Sequence, residues 1–161
     1  MYTREALLDI HERCHRSFQM MLDHCAGLTE GDRARTLNGF GLSTVREQLH
    51  HAIGAEKYWL SVVLGCLDAS ENESDAASLD ALTAFHESVS AATRAYLGSA
   101  TEEELNSARP MKTWHDPEVM LVPAHVILRT QTHLFQHQGQ LTAMCRLLGH
   151  PVEPGMDFPL K

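Results

Sequence analysis

Two histidines four residues apart, His133 and His137, are the pair in this sequence best suited to chemistry. They lie in a stretch whose apolar residues recur with helical spacing. Residues four apart share one face of an α-helix, so both imidazoles can reach the same metal ion. Both also fall on the apolar face of this helix, where an imidazole needs a hydrogen-bond partner or a metal. The pair is therefore either two ligands of one divalent ion or two core histidines bonded to Gln, Thr or backbone. The apolar face is defined by Val126, Leu134, Leu141, Met144 and Leu148.

A third ligand has to come from another helix, and the segment LHHAIGAEKYWL offers His50 and His51. On a helical wheel with about 100° per residue, His51 lies at the edge of the apolar face. His50 lies further round, on the side of Arg46 and Lys57. We therefore predict His51 as the third ligand, although an edge position also suits a half-exposed histidine.

Glu56 projects close to the middle of the same apolar face as His51. A carboxylate in that position can orient a ligand histidine, bind the metal, or act as a base on metal-bound water. The alternative is a salt bridge with an arginine at the edge of the core. On the first interpretation, Glu56 is the candidate catalytic residue.

A second cluster is conceivable in the first helix, where His11 and His15 are also four residues apart. His11 and Cys14 point toward the apolar stripe of that helix, whereas His15 lies nearer its flank. The three could form a rival metal site. Alternatively, Cys14 is a small buried apolar residue and His11 lines a pocket.

These side chains are positioned by four amphipathic helices that the apolar periodicity predicts over residues 3–27, 44–67, 78–97 and 123–149. Residues 109–122 are expected to be irregular or a small hairpin, and the tail after the fourth helix to be coil. Helices of this length with little strand signal predict an all-α four-helix bundle, as a single domain over residues 1–161. Candidate N-terminal caps are Thr3, Ser78, Thr101 with Glu104, and Thr44 with Glu47 as a capping box.

Composition narrows the function classes. The chain has 161 residues, eleven histidines and a formal charge of −8, with its basic residues scattered singly, which argues against nucleic acid as a partner. No apolar run approaches the roughly 20 residues that span a bilayer, and the N-terminus lacks the features of a secretory signal. We therefore expect no membrane partner and a cytoplasmic location, with the four cysteines reduced.

Two segments carry a family resemblance. LHHAIGAEKYWL resembles the second-helix motif of the DinB/YfiT-like family, and HLFQHQGQLTAMCRLLGHP resembles its fourth-helix motif. The helix order and the proline-rich end PGMDFPL agree, so the resemblance covers nearly the whole chain. It implies an up-down-down-up bundle, often a homodimer, with a metal bound by His51, His133 and His137. The sequence departs from many relatives at Arg129, where they have a further histidine, and at Gln138, where a basic residue is usual. These departures are expected to affect the polarity of the pocket.

Three histidine ligands leave a coordination position open, which is typical of a catalytic metal. That position could activate water for hydrolysis or hold the thiolate of a low-molecular-weight thiol. The family is similar to thiol-dependent transferases and isomerases, which favours transfer of a thiol to a small-molecule substrate. Imidazole ligands suit zinc and nickel equally. The alternatives are a metal-dependent hydrolase and a non-catalytic metal-binding stress-response bundle.

Overall fold

The computed structural model describes residues 1–70 and 72–160, and its long elements are four α-helices. The prediction of an all-α bundle is therefore confirmed. The long helices are α1 (Arg4–Ala26), α3 (Val45–Leu64), α4 (Leu79–Ser99) and α6 (Pro123–Leu147). Between them lie the short helices α2 (Glu30–Arg33) and α5 (Glu102–Asn106), a 3-10 turn (Glu73–Ala76), and the strands β1 (Arg109–Met111) and β2 (Val119–Leu121).

Side-chain caps fix the helix starts where the sequence predicts them. The hydroxyls of Thr3, Ser78 and Thr101 each accept a hydrogen bond from a backbone amide in the first turn of the following helix. Thr44 and Glu47 form both halves of a capping box at the start of α3. The predicted end of α3 at residue 67 was wrong by three residues, because Gly65 adopts a left-handed conformation (φ 72°) and ends the helix at Leu64.

Contacts between the helices define an up-down-down-up bundle. His15 of α1 contacts His86 of α4, and His11 contacts Ser90, so these two helices run antiparallel. Likewise Gln48 of α3 contacts His137 of α6 while Trp59 lies against Arg129, so α3 and α6 are also antiparallel.

The remaining neighbours run parallel. Ser17 of α1 bonds Gln138 and His24 bonds the carbonyl oxygen of His150 beyond the end of α6. Glu56 of α3 bonds Thr93 of α4, and His50 of α3 lies against Phe85 of α4. Helices α1 and α3 consequently lie diagonally opposite each other, each packed between α4 and α6.

The segment predicted as irregular or a hairpin forms an antiparallel hairpin in which Arg109 pairs with Leu121. The tail after α6 contains no helix or strand over residues 150–160, and Val152 and Met156 pack against the core. In the described part of the chain, no helix combines the length and the apolar character that crossing a membrane requires.

A buried polar layer divides the apolar core into two clusters. One cluster contains Phe18, Ile53, Leu82 and Leu134, and the other contains Leu7, Leu60, Leu97 and Ile127. Every long helix contributes polar side chains between the two. These residues are His11, His15, Glu56, Ser90, Thr93, Thr130 and Gln131, all less than a tenth exposed.

The left-handed turn at Gly65 yields a prediction about stability. Gly65→Ala places a side chain at positive φ and should lower the free energy of unfolding by about 1–2 kcal/mol. Gly98→Ala is the matched control, because Gly98 lies inside exposed helix with open space around an added Cβ. It should raise that free energy by up to about 1 kcal/mol. Urea unfolding measures both, and equal effects of the two substitutions would contradict the assigned helix end.

Candidate metal centre

His51, His133 and His137 come together between α3 and α6. The Nε2 atom of His133 lies 3.4 Å from Nε2 of His51 and 3.1 Å from Nε2 of His137. All three groups can present a ligand atom to one point, and they form one of two such clusters among the described residues. The structure therefore brings together the three histidines that the sequence singled out.

The spacing of these nitrogens matches the edges of a metal coordination polyhedron. Zinc–nitrogen bonds of about 2.0–2.1 Å in a tetrahedral site place neighbouring ligand atoms about 3.3 Å apart. The observed separations of 3.1 and 3.4 Å lie on either side of that value. A single ion could therefore be bound by all three histidines.

Gln48 sets the tautomer of His137. The amide nitrogen of Gln48 donates to the backbone carbonyl of Leu42 and to Oε1 of Gln140, which fixes the orientation of the amide. Its Oε1 then accepts a hydrogen bond from Nδ1 of His137 at 2.5 Å. Because Nδ1 carries the proton, Nε2 of His137 presents its lone pair to the cluster. A ligand histidine held through its other ring nitrogen is typical of metal sites.

The surroundings of His133 and His137 favour the neutral form of both imidazoles. Burial, followed by the neighbouring His133 and His51, lowers the pKa of His137 to about 4. Burial, with the charges of His51 and Arg129, also lowers the pKa of His133. Neutral imidazole is the form that binds a metal ion.

A cavity of about 350 Å³ opens beside two of the three histidines. His51 and His133 line it, and its volume is within the range of small-molecule sites. One part of its wall is aromatic, and there the guanidinium of Arg129 stacks over the Trp59 ring at 4.7 Å. The other aromatic and imidazole lining residues are His50, Tyr58, Phe85, Trp114 and His115.

The two departures from the family pattern lie in different places. Arg129 lines the cavity one helical turn before His133, where it can affect the polarity of the pocket as expected. Gln138 does not line it. Its side chain is buried and donates to Ser17 and to the carbonyl oxygen of Met156, so it fastens the tail to the bundle.

The second cluster contains His11, His15 and Glu56, whose potential ligand atoms lie within 4.8 Å of one another. The sequence had suggested Cys14 as the third member of this cluster. Cys14 is buried on the same helix, but burial and then the nearby Glu56 carboxylate raise the pKa of its thiol to about 12. Since the thiolate is the form that binds metal, Glu56 suits the cluster better than Cys14 does.

Glu56 lies with these histidines and faces α1 and α4. Its Oε2 is 2.9 Å from Nε2 of His15, and its Oε1 accepts a hydrogen bond from the Thr93 hydroxyl at 2.7 Å. Burial alone would raise the pKa of this carboxyl, but the charge and hydrogen bond of His15, followed by His11 and Thr93, outweigh burial and lower it. The sequence left open a salt bridge between Glu56 and an arginine. In the structure, the basic side chains that contact Glu56 are His11 and His15.

Sequence reasoning missed two residues of these sites. Gln48 orients His137 from one helical turn before His51, and His86 of α4 lies 2.8 Å from His15 through their ring nitrogens. Both are polar residues at apolar positions of their helices, and His86 falls between Leu82 and Val89 on the buried face. That pattern is the signal that could have identified them.

The depressed pKa values predict acid instability of the metal-free protein. Burial, as the largest cause, lowers the pKa of His11, His86 and His137 from 6.5 to about 4. Between pH 6.5 and about pH 4 the unfolded chain binds more protons than the folded chain. The free energy of unfolding is therefore at its full value above the unfolded pKa of 6.5 and decreases as the pH falls toward about 4. The slope is up to about 1.4 kcal/mol per pH unit for each histidine.

Urea unfolding with a chelator present, from about pH 7 to about pH 4, measures this dependence. His86→Gln keeps an acceptor for His15 but does not titrate, so its slope should be shallower than that of the wild type. A wild-type stability that does not change over this range would contradict the prediction.

Similarity to known proteins identifies the family of this chain. No curated protein matches it. The model of the DinB family matches residues 2–161, which is nearly the full length. This agrees with the bundle topology and with the two segments that suggested the family. The chain belongs to the DinB family.

Proposed function

We propose that this protein is a metal-dependent transferase that adds a low-molecular-weight thiol to a small electrophilic substrate, with one divalent ion on His51, His133 and His137. The observation that supports this most is the combination of a three-imidazole cluster with an adjoining cavity of about 350 Å³. A purely structural ion would need no such cavity. The family resemblance favours a thiol as the nucleophile.

A divalent ion held by three imidazoles keeps an open coordination position, at which a bound thiol or water loses its proton more readily. The chain's own residues supply the rest. Gln48 holds His137 in the binding tautomer, and the aromatic wall provides apolar surface for the substrate. The lining carries two cations, Arg129 and Lys57, and two carboxylates, Asp68 and Asp75, and Lys57 is paired with Asp68 at 3.0 Å. Arg129, one helical turn before His133, is therefore the group that could meet an anionic part of a substrate or thiol.

Glu56 is not assigned the role of a base at this centre. Its contacts are with His11, His15 and Thr93, and it does not line the cavity. The proton from an incoming thiol would more readily leave through the solvent-connected cavity. A catalytic function for Glu56 stays a prediction from the sequence.

The identity of the metal, zinc or nickel, belongs to the same proposal, as do the homodimer and the cytoplasmic location expected from the sequence. Light scattering of the purified chain tests the homodimer. Elemental analysis tests the metal.

Metal binding is the first property to test. We expect His133→Ala and His51→Ala to lower the affinity for Zn²⁺ or Ni²⁺ at least tenfold, because each removes one of three ligands. His50→Ala is the matched control, since His50 lies next to His51 but outside the cluster. Competition with a chromophoric chelator measures the affinities. Equal losses in all three variants would contradict the ligand assignment.

Catalysis is tested with the metal-loaded protein, monochlorobimane as the electrophile and cysteine or glutathione as the thiol. In the expected reaction a carbon–sulfur bond forms, the thiol proton leaves to solvent and chloride departs. We expect a rate above background that falls at least tenfold in His133→Ala. Hydrolysis of 4-nitrophenyl acetate without thiol, together with no thiol transfer, would instead favour the hydrolase. Metal binding with neither activity would favour the non-catalytic bundle.

The hydrogen bond from His137 to Gln48 yields a further prediction. Gln48→Leu removes the acceptor and should weaken Zn²⁺ binding by about 10–100-fold, as loss of such partners does in other metal sites. Gln48→Glu keeps an acceptor oxygen for Nδ1 of His137 but loses the N–H group that bonds Leu42 and Gln140, so it should bind Zn²⁺ less tightly than the wild type and more tightly than Gln48→Leu. The same chelator competition measures both variants. An unchanged affinity in Gln48→Leu would show that the tautomer of His137 is set by other groups.

A further inference from the structure

The polar layer in the middle of the bundle contains three side chains with ligand atoms directed at one another. We propose that His11, His15 and Glu56 form a second divalent-metal site, distinct from the centre on His51, His133 and His137, and that it binds an ion of the zinc type. These residues are 0%, 5% and 1% exposed. The site is therefore enclosed by protein, in contrast to the centre beside the cavity.

His11 presents an unpartnered lone pair to this point. Its Nε2 lies 3.2 Å from the backbone carbonyl oxygen of Ser90, and a carbonyl oxygen only accepts, so Nε2 carries the proton. Nδ1 of the neutral ring is then an acceptor, and it lies 3.8 Å from the Glu56 carboxylate, a second acceptor. Within residues 1–70 and 72–160, Nδ1 of His11 has no hydrogen-bond partner. Two facing acceptors in a buried place indicate that a cation belongs between them.

The other two members are held in orientations that suit metal binding. Nδ1 of His15 lies 2.8 Å from Nε2 of His86, so His86 can accept a hydrogen bond from Nδ1–H, which leaves the lone pair on Nε2 of His15 for the ion. Glu56 receives a hydrogen bond from Thr93 at Oε1, and its Oε2 is directed at His15. Support of each ligand by a second polar group is typical of metal sites.

The donor set and its spacing fit zinc. Two imidazoles and one carboxylate form a known three-residue zinc set, and the carboxylate offsets part of the ion's charge. From the one oxygen Oε1 of Glu56, the separations of 3.1 Å to Nε2 of His15 and 3.8 Å to Nδ1 of His11 lie on either side of the roughly 3.3 Å edge of a zinc tetrahedron. A separate cavity of about 340 Å³ between α1 and α4 is lined by His15 and His86, which gives an ion a route inward.

The consequence for the fold is a cross-link between diagonal helices. His11 and His15 belong to α1 and Glu56 belongs to α3, which lie opposite each other across the bundle axis. The first centre joins only the neighbours α3 and α6. Binding at the second site should therefore stabilise the whole bundle, and should do so without the first centre.

Zinc alone, in titrations of the full chain, tests this proposal. In the wild type we expect two ions per chain by elemental analysis after dialysis. His51→Ala/His133→Ala, which removes two half-buried ligands of the first centre, should keep one ion and melt at a higher temperature with zinc than without it. When Glu56→Gln is added to this double variant, the amide oxygen can still accept the hydrogen bond from Thr93. The affinity of the second site for zinc should nevertheless fall at least tenfold. The exposed His125→Ala serves as the control and should still bind two ions.

A double variant that is folded by circular dichroism but binds no zinc would overturn the proposal and leave the contact between His15 and Glu56 as a hydrogen bond. Anomalous diffraction at the zinc edge from wild-type crystals gives an independent answer, since a peak between His11 and Glu56 is required. Failure of the first centre has a different signature. If the first centre does not bind zinc, the single variant Glu56→Gln would bind no zinc. The double variant His51→Ala/His133→Ala would then bind as much zinc as the wild type.

Discussion

A buried imidazole needs two different partners, one for its N–H group and one for its lone pair, and the interior of this bundle is organised around that requirement. His137 satisfies one half through Gln48, and His11 satisfies one half through the Ser90 carbonyl oxygen. In both cases a fixed carbonyl oxygen accepts the hydrogen bond from the ring N–H group, so the lone pair of the other ring nitrogen faces a cluster of ligand atoms. An unsatisfied polar group of this kind costs about 1–3 kcal/mol. Among the described residues, buried atoms of His11, Glu56 and His86 have no hydrogen-bond partner. The middle of the bundle therefore has an interior position suited to a cation.

Helix α3 serves both clusters because of the pitch of the α-helix. His51 and Glu56 are five residues apart, which at about 100° per residue separates them by about 140° around the helix axis. One side chain therefore faces α6 and the other faces α1 and α4. The up-down-down-up topology places other helices on both of these sides, because α3 packs between α4 and α6 with α1 diagonally across. Helix α3 therefore contributes one ligand residue to each of the two clusters, His51 to the first and Glu56 to the second.

The difference between one helix and a packed bundle explains what could be predicted from the sequence. Helical periodicity and caps gave the four long helices, and the wheel placed His51, His133 and His137 on inward faces, where the structure brings them together. The same wheel placed Glu56 inward but could not tell which neighbouring helix it would meet. It lies with His11 and His15, and His86 joins them from α4, because helix rotation and crossing order depend on the packing of all four helices. Gln48 was missed for the same reason, because the histidine that it orients, His137, belongs to another helix.

The aromatic wall of the cavity has a spectroscopic consequence. The chain has two tryptophans, and both of them, Trp59 and Trp114, line the cavity beside His51 and His133. Trp59 lies under the Arg129 guanidinium, and Trp114 is 63% exposed, so the two indoles have different surroundings. All intrinsic tryptophan emission therefore comes from the wall of one site. A compound that enters the cavity should change that emission directly, and the native chain can report its own ligands without a label.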